Sequence, residues 1–224
     1  MLSGGELQIL ATSFWVAANA VLWSLPFAIA AAFALSRPRF PGKLLLDAIA
    51  HLPIILPPVL VGFVLLMLLG RRGPVGALLA EAGIQFAFTA KGAALATAVM
   101  IFPVFVRSIR LSFEATDRGL FEAAAVLRAG PWDRFLSVAL PLAGPGILAG
   151  MVMAFATALG EFGAVITFAA NIPGKTQTLP LAIYAVLQQP GGEAEAGRLA
   201  MLSFLLALLG LAAAALLQRW AVRE

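Results

Sequence analysis

The sequence predicts an all-α, polytopic membrane protein with about five transmembrane helices, or six if one short apolar stretch also crosses. Of its 224 residues, 62% are hydrophobic and 12% are charged, and the mean hydropathy is +0.98. A soluble domain is nearer half apolar and a quarter charged. Five stretches are apolar over the roughly 20 residues that a helix needs to cross a bilayer core about 30 Å thick.

Four stretches are uninterrupted by charge over most of their length: residues 11–35, 48–70, 88–109 and 199–221. A fifth, residues 140–169, is apolar except for Glu161. Residues 178–189 would span only about 18 Å as a helix at 1.5 Å per residue. We therefore expect a short helix at the outer surface there, and not a sixth crossing.

The charge distribution predicts the orientation. The first Lys or Arg is Arg37, so the N-terminus lacks the positive region of a cleaved signal peptide. With the N-terminus outside and the C-terminus in the cytoplasm, five crossings place ten positive residues inside and five outside, as the positive-inside rule requires; six crossings give nine and six. The ten are Arg37, Arg39, Lys43, Arg107, Arg110, Arg118, Arg128, Arg134, Arg219 and Arg223.

Composition also excludes several classes of site. The chain has no cysteine and a single histidine, His51, so neither thiolate nor His-cluster metal sites are expected. We expect no metal and no cofactor. The net charge of +4 is typical of cytoplasmic loops in an apolar chain, and we do not expect nucleic-acid binding. The segment Gly174-Lys175-Thr176 resembles the end of a phosphate-binding loop, but Ala169 stands where the first glycine is needed.

Prolines and glycines are frequent within the apolar stretches. Residues 51–62 contain Pro53, Pro57 and Pro58, which fit either a kinked packing helix or the wall of a gated path. Gly146 and Gly150 have the spacing that permits close contact between membrane helices. Glu161 lies inside a span, where a carboxylate is either functional or accepts hydrogen bonds at a bend of the helix.

Residues 117–134 form the one long polar segment between apolar runs. Glu122-Ala123-Ala124 begins a short helix of good helix formers, and Gly130-Pro131 ends it. Trp132 and Phe135 offer apolar anchors, and Leu140-Pro141 marks the return to the membrane. We expect a short amphipathic helix, a turn and a second helix that continues into the next span. Such a helix suits docking in a groove of a partner, or lying in the lipid interface.

This polar segment resembles the EAA loop of ABC importer permeases. The matching residues are Glu122, Ala123, Ala124, Leu127, Ala129, Phe135, Val138, Leu140 and Pro141. In that family the loop is a coupling helix that sits in a groove on the cytoplasmic ATPase. The family pattern has glycine at the position of Arg128, and this chain has glycine at Gly130 instead.

Further motifs resemble the molybdate branch of these type I permeases. They are FPGKLLLDAIAHLPIILPPVLVG at 40–62, MLLGRRGPVG at 67–76, FPVFVRSIRL at 102–111, LGEFGAVITFAANIPGKTQTLPLAIY at 159–184 and QQPGGEAEAGRL at 188–199. The similarity covers nearly the whole chain, so we expect a single transmembrane permease domain over residues 1–224 with its coupling loop at 112–140. Tungstate and sulfate or thiosulfate permeases are close to this group and remain alternatives, as does an ATP-independent secondary transporter.

The resemblance implies a non-catalytic subunit of the bacterial inner membrane. Its expected partners are a second copy of itself, a dimer of cytoplasmic ABC ATPase subunits that hydrolyses ATP, a periplasmic or lipid-anchored molybdate-binding protein, and the oxyanion substrate. A dianion that crosses lipid needs hydrogen-bond donors in place of water. Candidates for the substrate path are Ser108, Thr157, Glu161, Thr167 and Asn171.

Overall fold

A computed structural model describes residues 3–37 and 40–221, and within these ranges the regular structure is entirely helical. Arg39 and Arg223, which entered the charge count, lie outside the described residues. The helices are α1 (Gly4–Ser36), α2 (Lys43–Ile55), α3 (Pro58–Leu69), α4 (Pro74–Glu81), α5 (Ala90–Ala115), α6 (Arg118–Val126), α7 (Pro131–Arg134), a π-helical segment (Phe135–Ala139), α8 (Leu140–Leu142), α9 (Gly144–Leu159), α10 (Gly163–Ala169), α11 (Leu179–Leu187) and α12 (Glu193–Ala221).

The predicted membrane spans are recovered, and two of them are interrupted. In the described part of the chain, α1 and α5 are long and apolar enough to cross a bilayer, and two bent helix pairs raise the number to four if each pair is one span. The predicted span 199–221 falls on α12, whose 29 residues extend over about 43 Å. The all-α membrane fold is thus confirmed.

The predicted span 48–70 is not one straight helix, which corrects the sequence interpretation. It is divided between α2 and α3, whose axes differ by 114°. Leu56 and Pro57 are extended, with ψ of 145° and 132°. Each of them precedes a proline, and the proline ring disfavours helical geometry in the preceding residue. The consecutive prolines therefore break the helix completely.

The predicted span 140–169 is also interrupted. At its start, the helix that runs from Pro131 to Leu142 bends by 64° into α9. Near its end, α9 stops at Leu159 and α10 begins at Gly163, with Glu161 in the break between them. Both interruptions lie beside glycine or proline, the residues at which membrane helices are commonly broken.

The centre of the bundle is a contact between α1 and α5. Small residues form a stripe along α1 at three- and four-residue spacing and are fully or almost fully buried; they are Ala17, Ala20, Ser24, Ala28 and Ala32. Larger side chains of α5 pack against this stripe, among them Ile101, Phe105 and Ile109. Because dispersion forces, and not the exclusion of water, hold helices together in lipid, small residues that let backbones approach are favourable.

Glycines bring two further helix pairs into close contact. A Cβ atom added to Gly150 would lie 3.1 Å from a ring carbon of Phe105, and one added to Gly146 would overlap Ser112, so α9 packs closely on α5 as predicted. A Cβ added to Gly62 would lie 2.6 Å from the carbonyl oxygen of Ala164, on α10. The α3–α10 contact was not predicted from the sequence.

The short apolar stretch 178–189 forms a short helix, α11, as predicted. At this end of the bundle, the Leu179 N–H donates to Ser13 Oγ at 2.7 Å. The guanidinium of Arg198, on α12, donates to Glu6 Oε1 at 2.6 Å. These contacts tie α11 and α12 to the first turns of α1, whereas the polar segment 117–134 lies at the opposite end, where α1 and α5 finish.

Candidate functional site

The polar segment begins with a helix that starts earlier than predicted. α6 starts at Arg118, four residues before Glu122. Asp117 caps it, because its Oδ1 accepts a hydrogen bond from the Gly119 N–H at 2.9 Å. Asp117 is thus the local signal that the sequence interpretation missed. Gly130-Pro131 does not end α6 but begins the next helix, with Pro131 in the first turn of α7.

The end of α6 is formed around Arg128, which has a left-handed φ of +60°. The Arg128 N–H donates to the Ala125 carbonyl at 2.9 Å, and the Ala129 N–H donates to the Ala124 carbonyl at 3.0 Å. This pair of bonds is a Schellman motif, in which the left-handed position is usually glycine. The turn associated with glycine in the family pattern is therefore formed here by an arginine.

Most of the α6 surface is exposed. Phe121 is the side chain that packs against the core cluster beneath α6, and Ala124 is half-buried. Glu122 and Ala123 are exposed, and Val126 and Leu127 are 83% and 82% exposed. The helix therefore presents a surface with two apolar side chains at its end and is fixed to the bundle by one aromatic side chain.

The connection from α6 into α9 is fixed by aromatic stacking. Phe135 lies 4.6 Å from Phe33 of α1 between ring centroids, and Phe33 lies 5.3 Å from Phe113 of α5. Trp132 stacks edge-on against Phe135 at 6.1 Å and stays 76% exposed. Phe135 therefore serves as an attachment to α1, and Trp132 is the accessible aromatic residue.

A π-helical segment, Phe135–Ala139, joins α7 to α8. The Leu140 N–H donates to the Phe135 carbonyl five residues back. Pro141 follows and has no N–H to donate. The segment lies between the polar helices and the 64° bend into α9, and single π turns of this kind are common at functional positions of helices.

Glu161 caps a helix in the break between α9 and α10. Its Oε1 accepts a hydrogen bond from the Ala164 N–H at 2.9 Å. The sequence left open whether this carboxylate was functional or accepted backbone hydrogen bonds at a bend, and the structure shows that it accepts one. The cap satisfies a donor at the start of α10 that would otherwise be unpaired.

The other residues proposed for the path do not form one cluster. The hydroxyls of Thr157 and Thr167 donate to carbonyls four residues back, at 2.8 and 2.9 Å. Asn171 donates to the Leu181 carbonyl at 3.4 Å, and its buried Oδ1 accepts no hydrogen bond from the described residues. Ser108 lies beside Gly146 at the α5–α9 contact.

The sequence interpretation missed an ionic cluster that joins α2 to α5. Arg110 donates to Glu114 at 2.7 Å and contacts Asp47 Oδ1 at 3.4 Å. The His51 Nδ1 lies 2.9 Å from the Asp47 carbonyl oxygen. The spacing of Asp47 and His51, four residues apart, was the available signal for two side chains on one helix face. Their link to Arg110 is a tertiary contact.

Comparison with known proteins agrees with this architecture. Residues 24–223 match the family model described as "Binding-protein-dependent transport system inner membrane component". The chain is 50% identical over 224 residues to the molybdenum transport system permease protein ModB of Escherichia coli (strain K12), covering 100% of this chain and 96% of that protein. It is 47% identical to ModB of Haemophilus influenzae, covering 96% of this chain and 93% of that protein.

A solved structure shares the fold. The structure is of a bacterial ABC transporter that imports the acidic polysaccharide alginate, with a TM-score of 0.78 and 17% identity over 97% of this chain and 80% of that chain. The predicted resemblance to importer permeases is thus confirmed. Together with the molybdenum transport system permease proteins of Escherichia coli and Haemophilus influenzae, the chain belongs to the family of binding-protein-dependent transport system inner membrane components.

Proposed function

We propose that this chain is the membrane-spanning permease subunit of an ABC importer that takes up molybdate. The observation that carries the proposal is the 50% identity, over the whole chain, to a protein named as a molybdenum transport permease. Such a subunit contains the path for the oxyanion and does not hydrolyse ATP. The energy comes from a dimer of separate ATPase subunits, and a binding protein delivers the substrate.

Reconstituted uptake tests this function. The chain is placed in proteoliposomes with its ATPase and its binding protein, and ATP-dependent uptake of labelled molybdate is measured with tungstate and sulfate as competitors. We expect uptake that requires both partners. Uptake of equal rate without the ATPase would indicate a secondary transporter, and stronger uptake of sulfate than of molybdate would assign the chain to the sulfate group.

We propose that residues 112–140, within one transmembrane domain over 1–224, couple the ATPase to the bundle. The proposal is supported by the exposure of α6, which is attached to the core by Phe121 and presents Val126 and Leu127 to the outside. An amphipathic helix with apolar residues of this exposure is suited to a groove on a partner. The residues assigned to coupling are Glu122, Ala123, Ala124, Leu127, Arg128, Ala129, Gly130, Trp132, Phe135 and Pro141.

A charge reversal on α6 tests the coupling. Glu122→Lys is expected to weaken binding of the ATPase and to abolish uptake, because Glu122 is exposed on the proposed docking surface. Glu195→Lys is the matched control, since Glu195 is also exposed but lies on the first turn of α12, at the opposite end of the bundle. If the ATPase copurifies with the Glu122→Lys permease and drives uptake, α6 is not the docking site.

We propose that the N-terminus lies outside and that α6 faces the cytoplasm. The excess of positive residues in the segments assigned to the inside supports this orientation. Because the chain has no cysteine, single cysteines report accessibility without background. A membrane-impermeant maleimide should label Ser3→Cys in intact spheroplasts and Val126→Cys only after lysis. The reverse labelling pattern would show that the chain has the opposite orientation in the membrane.

The path is proposed to use hydroxyl groups of α9 and α10, with Ser108, Glu161 and Asn171 as further lining residues. The hydroxyls of Thr157 and Thr167 donate to their own helices, so they must rotate away from those carbonyls to donate to an oxyanion. Thr→Ser at these positions is expected to preserve uptake, and Thr→Val to reduce it. Unchanged uptake by both valine variants would remove the two residues from the path.

A further inference from the structure

Two adjoining cavities lie where α1 and α5 finish. One has a volume of about 780 Å³ and is lined by polar and aromatic side chains of α1, α2, α5, α6 and α7. The second, of about 530 Å³, extends along α1 towards Pro26. The cavities share Phe33, Arg37, Pro131 and Phe135. Together they form one groove with a charged end and an apolar end, which we call the α1–α7 groove.

The charged end carries an excess of positive charge. Arg37, Lys43 and Arg134 line it, together with the carboxylates of Glu114 and Glu122. Glu114 is already paired with Arg110 at 2.7 Å. Among the described residues, none of the three cations at this end forms an ion pair. Three cations therefore face one uncompensated carboxylate.

Arg134 supplies a donor aimed at no partner. Its Nε is buried and makes no hydrogen bond to any described residue. A buried N–H without an acceptor costs free energy, so the fold leaves part of the hydrogen-bonding capacity of Arg134 unsatisfied. The guanidinium of Arg37 lies 4.8 Å from the centre of the Phe33 ring, which holds it at the entrance to the groove.

The apolar end continues along an exposed flank of α1. Pro26, Ile29, Ala30 and Leu140 line it. Eleven residues separate Pro26 from Arg37, a distance of about 16 Å along the helix. Phe27 beside the groove is 68% exposed, as expected for a side chain in contact with lipid. Trp132 lines the groove near its charged end. Tryptophan is enriched at the membrane surface in membrane proteins.

We propose that the α1–α7 groove binds one anionic phospholipid. The phosphate lies among Arg37, Lys43 and Arg134, and one acyl chain follows Pro26 to Phe33. Basic pockets between membrane helices recognise anionic headgroups, and guanidinium groups bind phosphate through charge-assisted hydrogen bonds. An acidic protein segment could satisfy the three cations, but it would leave the apolar end unfilled. The lipid contacts α1 and the segment after Gly130 at once, so it braces the connection to α6.

Native mass spectrometry of the purified full chain tests the proposal. The protein is exchanged into detergent with phosphatidylglycerol or phosphatidylcholine, and retained lipid is counted. Arg37→Gln, Lys43→Gln and Arg134→Gln should each lower retention of phosphatidylglycerol about fivefold, the factor that corresponds to ~1 kcal/mol per basic residue. Ala30→Trp, which fills the apolar end, should also lower it. Arg107→Gln is the matched control because Arg107 is exposed outside the groove.

Three outcomes would overturn the proposal, and none depends on transport activity. The first is equal retention of phosphatidylcholine and phosphatidylglycerol by the unmodified chain. The second is complete displacement by inorganic phosphate, which would make this a site for a free anion. The third is unchanged lipid retention in the glutamine variants together with weaker binding of the ATPase, which would assign the groove to a protein partner. Arg134→Lys should retain the lipid, because it keeps the positive charge at this position.

Discussion

Replacement of Arg128 by glycine tests the structure of the α6 turn. Arg128 occupies a left-handed position with φ of +60°. An L-residue in this conformation costs roughly 1–2 kcal/mol. Glycine removes that cost. It also makes the unfolded chain more flexible, and this lowers the gain in stability by roughly 0.4–1 kcal/mol. Loss of a positive charge at a helix C-terminus offsets about 0.3 kcal/mol more. The expected net effect is stabilisation of the turn by about 0.5 kcal/mol.

The assay is hydrogen exchange of the Ala129 amide. This N–H closes the Schellman motif by donating to the Ala124 carbonyl at 3.0 Å, so its exchange reports opening of the turn. A stabilisation of about 0.5 kcal/mol slows exchange roughly twofold. Arg128→Ala keeps the backbone strain and should exchange slightly faster than the native chain. Arg128→Val should exchange several-fold faster, because a β-branched residue is poorly accommodated at positive φ.

Uptake and ATPase binding complete the test. Arg128→Gly is expected to transport at least as well as the native chain, because glycine restores the turn of the family pattern. If the valine variant protects Ala129 as well as the glycine variant does, the Schellman motif at this turn is refuted. If Arg128→Gly abolishes uptake, the match of Arg128 to the glycine of the family pattern is refuted. An equal loss of ATPase affinity in the glycine and alanine variants would show that the guanidinium itself contacts the partner.

Two further predictions concern helix packing and a third concerns a helix cap. Gly146→Ala should destabilise the detergent-solubilised protein by about 1–3 kcal/mol in thermal unfolding, because the new methyl group overlaps Ser112. Gly144→Ala is the control, because the space around its Cβ is open, and it should leave the unfolding temperature unchanged. Equal effects of the two substitutions would contradict the α5–α9 contact. Gly62→Ala should likewise destabilise the α3–α10 contact and lower the yield of folded protein, and a yield matching Gly144→Ala would speak against that contact. Glu161→Gln should keep the hydrogen bond that caps α10 and should keep the yield of folded protein. Glu161→Ala should lose about 0.5–2 kcal/mol of stability in thermal unfolding. A glutamine variant as unstable as the alanine variant would show that the charge of Glu161, and not its hydrogen bond, stabilises the start of α10.

The sequence was sufficient for the membrane class and for most helix positions. Long apolar runs report burial in lipid, and α1, α5 and α12 follow from length and hydropathy. Hydropathy carries no information on the direction of a helix axis. The three prolines were therefore the only sign in the sequence of the 114° change of direction between α2 and α3. The proline pair at Pro57-Pro58 indicated a kink, but the angle depends on how α3 packs against α10.

For the candidate site, the order of elements was predictable and the boundaries were not. Helix, turn and second helix follow from the formers at Glu122-Ala123-Ala124 and from Gly130-Pro131. The start of α6 at Arg118 depends on a side-chain hydrogen bond of Asp117. Its end depends on Arg128 in the left-handed conformation, which arginine rarely adopts. Residue preferences therefore predicted neither boundary. The α1–α7 groove draws on residues far apart in the chain, which no local pattern joins.

The alanine stripe on α1 has a consequence for tolerance to mutation. Ala17, Ala20, Ala28 and Ala32 are completely buried against α5, and each side chain is already a single methyl group. Except for glycine, every residue that a mutation could introduce there is larger, so the separation of α1 and α5 can increase but hardly decrease. Most chain positions lose stability when a side chain is truncated. Along this α1–α5 contact, stability is lost when a side chain becomes larger. The residues tolerated at these positions are therefore alanine, glycine and serine.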